Sequence, residues 1–363
     1  MTALDLVRTN LLSPVVLAFL LGAVAVWVRS DLRFPEGMYT GLSIYLLLAI
    51  GLKGGVALAE TPLAEVWLPV LAVLALGCCI PLWSYAVARR FGGLGIPDSA
   101  ALAAHYGSVS VVTFVASLAF LDLAGVPQEG FLPALVALME VPAIAVAIGM
   151  ARVAGGGRRG GWGPVLHEVL AGRSILLLVG GLTIGAASGP AGLAKVAPVF
   201  VAPFQGVLVL FLLEMGMVAA RRLRELRSAG VFLVLFGVGM PVLHGVLGAW
   251  VGAMAGLSLG GSTVLGVLAA SASYIAAPAA VRVALPEANP GLYLTASLGI
   301  TFPFNLAVGI PLCYAAARWA HSSGGAIPLP LIAVGALLLA LALFRPRARG
   351  IAAAGDIRAG TRP

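Results

Sequence analysis

Charge is scarce in this chain. Only 10% of its 363 residues are Asp, Glu, Lys or Arg, against about 25% in a soluble domain. Too few polar groups remain to cover a water-facing globule, so a soluble fold is excluded. Cysteine is scarce as well. Cys78, Cys79 and Cys313 are the only three. Each stands in an apolar run without metal-ligand spacing, which excludes a disulfide framework and a structural zinc site. No HExxH zinc motif, P-loop or plausible hydrolase triad occurs, and the chain is read as not an enzyme. A cleavable leader is not expected either. The apolar stretch from Leu11 to Val28 is long enough for a first span, and no small-residue cleavage site follows it.

What is present is apolar. Hydrophobic residues make up 61% of the chain and mean hydropathy is +1.06. Forty-seven glycines fit a bundle of close-packed membrane helices. The composition predicts an all-α polytopic membrane protein, multi-pass in a cell inner (plasma) membrane. A span needs roughly 20 mostly apolar residues. Eleven are expected, at 11–28, 37–58, 66–88, 98–121, 131–152, 166–187, 198–219, 229–253, 260–281, 293–317 and 326–344. Basic residues favour cytoplasmic loops. With the N-terminus outside, those loops hold Arg29, Arg33, Arg89, Arg90, Arg152, Arg221, Arg222 and Arg282, and the C-terminal tail lies inside. The net charge of +8 is explained this way and calls for no nucleic acid.

The chain reads as two similar halves. Pro142 falls over Pro303, Ser108 over Ser271 and Gly51 over Gly216, at offsets of 161, 163 and 165 residues. Five spans separate the partners. An odd number means that the second copy enters from the opposite face, the inverted repeat common among secondary transporters. The expected organisation is a first five-helix repeat over 1–154, a Gly/Arg cytoplasmic linker over 155–163, and a second, inverted repeat over 164–320. One additional span follows at 326–344, then a basic tail at 345–363.

Two stretches at matching places are poor lipid-facing helix: His105–Thr113 and Leu268–Pro278. Small residues, hydroxyls and a proline suit a broken backbone lining a cavity, the only setting in which such backbone survives at membrane depth. If each helix breaks there, two helix N-termini can face each other near the midplane and suit a small monoanion. The expected anion-binding residues are Gly107, Ser108, Val109, Ser110, Ser271, Ala272 and Ser273. Moving a negative charge into a negative interior costs about 2.3 kcal/mol per 100 mV, so a co-transported cation is expected. Its candidate ligands are Thr113, Glu140, Tyr274 and Thr301. Lys53 and Glu214 stand two residues after Gly51 and two before Gly216. An antiparallel crossing of the second and seventh helices at those glycines would join them as a structural ion pair. His105 is a candidate for proton coupling, and His244 for a bond between helices.

Several segments resemble the SbtA-type sodium-dependent bicarbonate transporter family. They are Leu12–Leu20, Ile50–Gly55, Met139–Ala143, Met215–Met217, Pro241–Gly245, Leu259–Gly261 and Ala288–Pro290. The resemblance implies ten core helices in two inverted repeats, a homo-oligomer of three subunits, and import of bicarbonate with sodium. It also implies a PII-like cytoplasmic regulator.

 

The departures are specific. Tyr274 stands where the family has an aspartate, Glu140 where it has an aspartate, and Ser110-Val-Val-Thr113 where it has Ser-Gly-Ser-Thr. Two alternatives stay open at this point. One is a transporter of another small anion or carboxylate, proton-coupled through Glu140 or His105. The other is a non-transporting membrane sensor with a degenerate site.

Overall fold

The computed structural model describes residues 3–35, 37–155, 161–223 and 230–324, with side chains from residue 7 onward. The expected eleventh span and the tail lie outside the described residues. Among the described residues every regular element is helical, and eight helical runs are long and apolar enough to cross a membrane, Ile96–Ala124 counted as one.

Two short helices lead in: α1 (Ala3–Leu11) and α2 (Pro14–Trp27). Ser13 sets the start of α2. Its hydroxyl accepts the Val16 amide at 3.3 Å, and Pro14 supplies the preset φ of a first helical turn. Then come α3 (Met38–Glu60), α4 (Leu63–Arg90), α5 (Ile96–Gly107), α6 (Val111–Ala124) and α7 (Leu132–Val153). The second half holds α8 (Trp162–Leu170), α9 (Arg173–Phe200), α10 (Phe204–Leu223), α11 (Gly230–Met254), α12 (Leu259–Ala270) and α13 (Ala276–Ala284). The last is α14 (Pro290–Ser322).

The expected sixth span, 166–187, is corrected. Trp162–Leu170 forms a separate amphipathic helix that buries Val165 and Val169. The crossing helix begins only at Arg173 and runs to Phe200, with a break at Gly189, whose φ of 61° is left-handed. Helix α14 is continuous but widens to π-helix over Thr295–Thr301 and Asn305–Gly309. Pro303 and Pro311 lie just after these windows. Each lacks an N–H and crowds the carbonyl four residues back, so the ladder slips there. Leu306, inside the second window, turns its carbonyl to the Asn10 side chain of α1 at 2.5 Å.

The helices form two groups. In one, α3 packs along α9 and α2 along α10. Glycines allow the approach: a Cβ on Gly51 would stand 2.9 Å from the Gly181 Cα, and one on Gly55 would collide with the Leu182 carbonyl. Gly22 meets the Leu213 carbonyl and Gly216 the Phe19 carbonyl in the same way. In the other group, α4 packs on α5 and α7, and α11 on α12 and α14. This group encloses α5, α6 and α12 almost completely, whereas Leu63 of α4 and Leu176 of α9 are 80% and 62% exposed, as side chains facing lipid would be.

Candidate functional site

Both hydroxyl stretches are broken, and they meet. Helix α5 stops at Gly107, where the glycine lies against Pro81 and Ala143 with no room for a side chain. Ser108 and Ser110 are extended, and α6 starts at Val111. Helix α12 stops at Ala270, Ser271 is extended, and α13 starts at Ala276. The Ser110 amide donates to the Ser271 hydroxyl at 2.9 Å. The Ser273 amide donates to the His105 carbonyl at 2.8 Å. Each break therefore satisfies backbone groups that the other leaves open, which is what lets irregular backbone persist in an apolar interior.

Within each break a serine caps the helix that follows. Ser110 accepts the Thr113 amide at 3.2 Å, and Ser273 accepts the Ala277 amide at 3.2 Å. The Ser271 hydroxyl also donates to the Leu268 carbonyl at 2.8 Å, so it is fixed at both ends. All four serines are 3% exposed or less.

The two broken helices run in opposite senses. Asp98, in the first turn of α5, accepts the Asn289 amide, just past α13, at 2.8 Å. Glu129, just past α6, accepts the Ser258 amide, just before α12, at 2.6 Å. One bond ties the start of α5 to the end of the second run. The other ties the start of α12 to the end of the first.

Among the described residues, several polar atoms around the crossing have no hydrogen-bond partner. The Ser108 hydroxyl is wholly buried and makes no hydrogen bond. The Tyr274 hydroxyl lies near Ser110 without completing one. Val111 and Val112, in the first turn of α6, have amides that no helix carbonyl can reach. One Glu140 carboxylate oxygen is buried and unbonded, and Glu140 is 1% exposed.

The other expected residues fall into place differently. Gly107, Val109 and Ala272 are buried in the crossing. Thr113 sits in the first turn of α6. Thr301 belongs to a separate chain: its hydroxyl donates to the Gly237 carbonyl at 2.7 Å and lies 2.7 Å from the Tyr106 hydroxyl. It ties α5 and α11 to the first π window. His105 holds the Ala101 carbonyl at 2.7 Å through Nδ1, and its ring lies 4.4 Å from that of Tyr293. His244 accepts the Trp83 indole N–H at 2.7 Å and joins α11 to α4.

The Lys53–Glu214 pair is not formed. Gly51 and Gly216 serve crossings with α9 and α2, so the second and seventh helices do not meet there. The Lys53 ammonium lies 5.8 Å from the centre of the Phe204 ring, and one Glu214 oxygen is buried without a hydrogen bond. Tyr106 and Asn305 are not among the expected site residues. The Asn305 amide group donates to the Ala270 carbonyl at 2.9 Å, the one that the break in α12 sets free.

Among the described residues no three His, Cys, Asp or Glu side chains gather as a metal site. The oxygens at the crossing are hydroxyls and carbonyls, the hard ligands of an alkali cation rather than of a transition metal.

Comparison with known families now decides the class. The profile of the Na+-dependent bicarbonate transporter superfamily matches residues 14–318. The chain belongs to that superfamily. The match spans both broken helices and all the helices packed around them. It makes the protein a member of a transporter family rather than of an enzyme family, and the multi-pass helical fold agrees. No curated protein matches the chain.

Proposed function

We propose that this protein imports bicarbonate together with sodium, and that the anion sits where the two broken helices cross. The observation that carries this reading is the pair of direct bonds between the breaks, Ser110 to Ser271 and Ser273 to His105. They bring the segment before α6 against the segment between α12 and α13, which supports placing the two helix starts around one buried site. Each start carries about half a positive charge, and two compensate one anion without a buried arginine. The Ser108 and Tyr274 hydroxyls and the Val111 and Val112 amides are the donors left to receive it.

Sodium balances the charge of the anion and brings in the energy of its own gradient. Thr113, Glu140 and Tyr274 are its proposed oxygen ligands, with Thr301 a neighbour whose hydroxyl is already engaged. We place the two halves as inverted repeats. The supporting pattern is that α3 on α9 is matched by α10 on α2, and α4 with α5 and α7 by α11 with α12 and α14. The N-terminus is proposed to lie outside, on the distribution of arginine, and the protein to sit in the inner (plasma) membrane. A trimer and a PII-like cytoplasmic regulator are proposed on family resemblance. The serines of the crossing are buried, and anion release is proposed to need the α2, α3, α9 and α10 group to move against the rest.

Uptake of radiolabelled bicarbonate into proteoliposomes tests the reading. Accumulation should follow an inward sodium gradient, and uptake equal to that of empty vesicles would sink it. One observation favours a second reading, proton coupling. Glu140 is a buried carboxylate with an unbonded oxygen and no ion pair among the described residues. A proton gradient replacing the sodium gradient without loss of uptake would select it.

A further inference from the structure

A cavity of about 380 Å³ opens between the segment joining α2 to α3 and the last turns of α10. Arg33, Phe34, Glu214, Met217, Val218 and Arg221 line it. Both arginines are exposed and Glu214 is half-buried. No ion pair joins Glu214 to either arginine among the described residues, and one of its oxygens is hidden and unbonded. The cavity thus holds two exposed positive charges and one half-buried carboxylate, with Met217 and Val218 beside them.

The cavity also points somewhere. The Tyr39 ring stacks on that of Phe211, one turn before Glu214, at 5.4 Å. The Tyr39 hydroxyl lies within electrostatic reach of Glu214 on one side and of Tyr274 on the other. Tyr274 is the residue beside Ser110 at the crossing. Arg221, Glu214, Tyr39 and Tyr274 thus influence one another electrostatically in series toward the broken helices, without direct bonds between them among the described residues.

We infer that this cavity is an anion-holding vestibule on the cytoplasmic path by which the imported anion leaves the crossing, at the end of α10. The path rests on the transport reading; the cavity's affinity for anions does not. Two guanidinium groups at its rim raise the local concentration of small anions. The Glu214 carboxylate keeps them from binding tightly, because it repels any anion that goes deeper.

The test uses the full chain with Phe34→Trp as a fluorescent reporter, read as the difference from the native protein. Iodide serves as the anionic quencher and acrylamide as the neutral one, at constant ionic strength. Arg33→Gln and Arg221→Gln should each lower the iodide quenching constant at least threefold and leave acrylamide quenching unchanged. Glu214→Gln should raise it. Arg33→Lys and Arg221→Lys, which keep the charge, should restore it. Equal iodide quenching in all these variants would overturn the inference, as would a loss in the lysine variants as large as in the glutamines. Arginine-dependent quenching in a protein that takes up no bicarbonate would support the vestibule and sink the transport reading. Uptake without arginine-dependent quenching would do the reverse.

Discussion

Replacing Ser271 with alanine removes one of the two bonds that join the breaks. Its hydroxyl accepts the Ser110 amide at 2.9 Å and donates to the Leu268 carbonyl at 2.8 Å, and the residue is 1% exposed. The substitution leaves a buried amide with no acceptor. Such a group costs about 1–3 kcal/mol. In a thermal melt this is a decrease of a few degrees for a chain of this size. Transport should suffer more than stability, because the Ser110 amide and the start of α6 lose their fixed position. A loss of about 1.4 kcal/mol of binding at the crossing is a tenfold fall in apparent affinity. The assay is bicarbonate uptake against concentration, alongside a melt of the same preparation. Ser258→Ala is the control. It removes a comparable helix cap, bonded to Gly261 and Glu129, at the rim of the fold. It should cost about 1 kcal/mol of stability and leave affinity alone. Ser271→Ala with native uptake and a native melt would refute the argument that the bond between the breaks organises the site.

Other outcomes follow from particular contacts. Gly55→Val should prevent α3 and α9 from closing, because its Cβ would meet the Leu182 carbonyl; the folded yield after extraction should collapse. Gly41→Ala, in open space on the same helix, should be neutral or slightly stabilising in the same measurement. A double-mutant cycle of Lys53→Met and Glu214→Gln should give a coupling energy within about 0.5 kcal/mol of zero by thermal melt, since the two groups do not touch. Glu140→Gln should preserve the melt and raise the sodium concentration for half-maximal uptake at least tenfold. An unchanged sodium response would remove Glu140 from the cation site.

Much of the candidate site was legible because its signals are local. Ser110 and Ser13 are serines placed to cap the helices after them, and both do so. Small residues and hydroxyls at 108–110 and 271–273 marked the breaks. What went astray depended on distant partners. Gly51 and Gly216 were recognised as crossing points, yet nothing near them in the chain says that Gly51 meets Gly181 or that Gly216 meets Phe19. The Lys53–Glu214 pair failed on that ground. The start of α9 was misplaced because Trp162–Leu170 is apolar enough to be read as part of a span, and only its packing shows the turn before Arg173.

Length and apolarity alone determine that this chain belongs in a bilayer, since water cannot solvate it and lipid can. Residue type marked where the broken helices start again, because capping hydroxyls act within one turn of the backbone. Tertiary structure decided which ends meet. Ser110 finds Ser271 from 161 residues away, and Thr301 links Tyr106 to Gly237 across three helices. It also decided that α14 would widen into π-helix beside its prolines. The physical reason is that a buried hydrogen bond needs a partner of the right geometry, and only the packed fold supplies one.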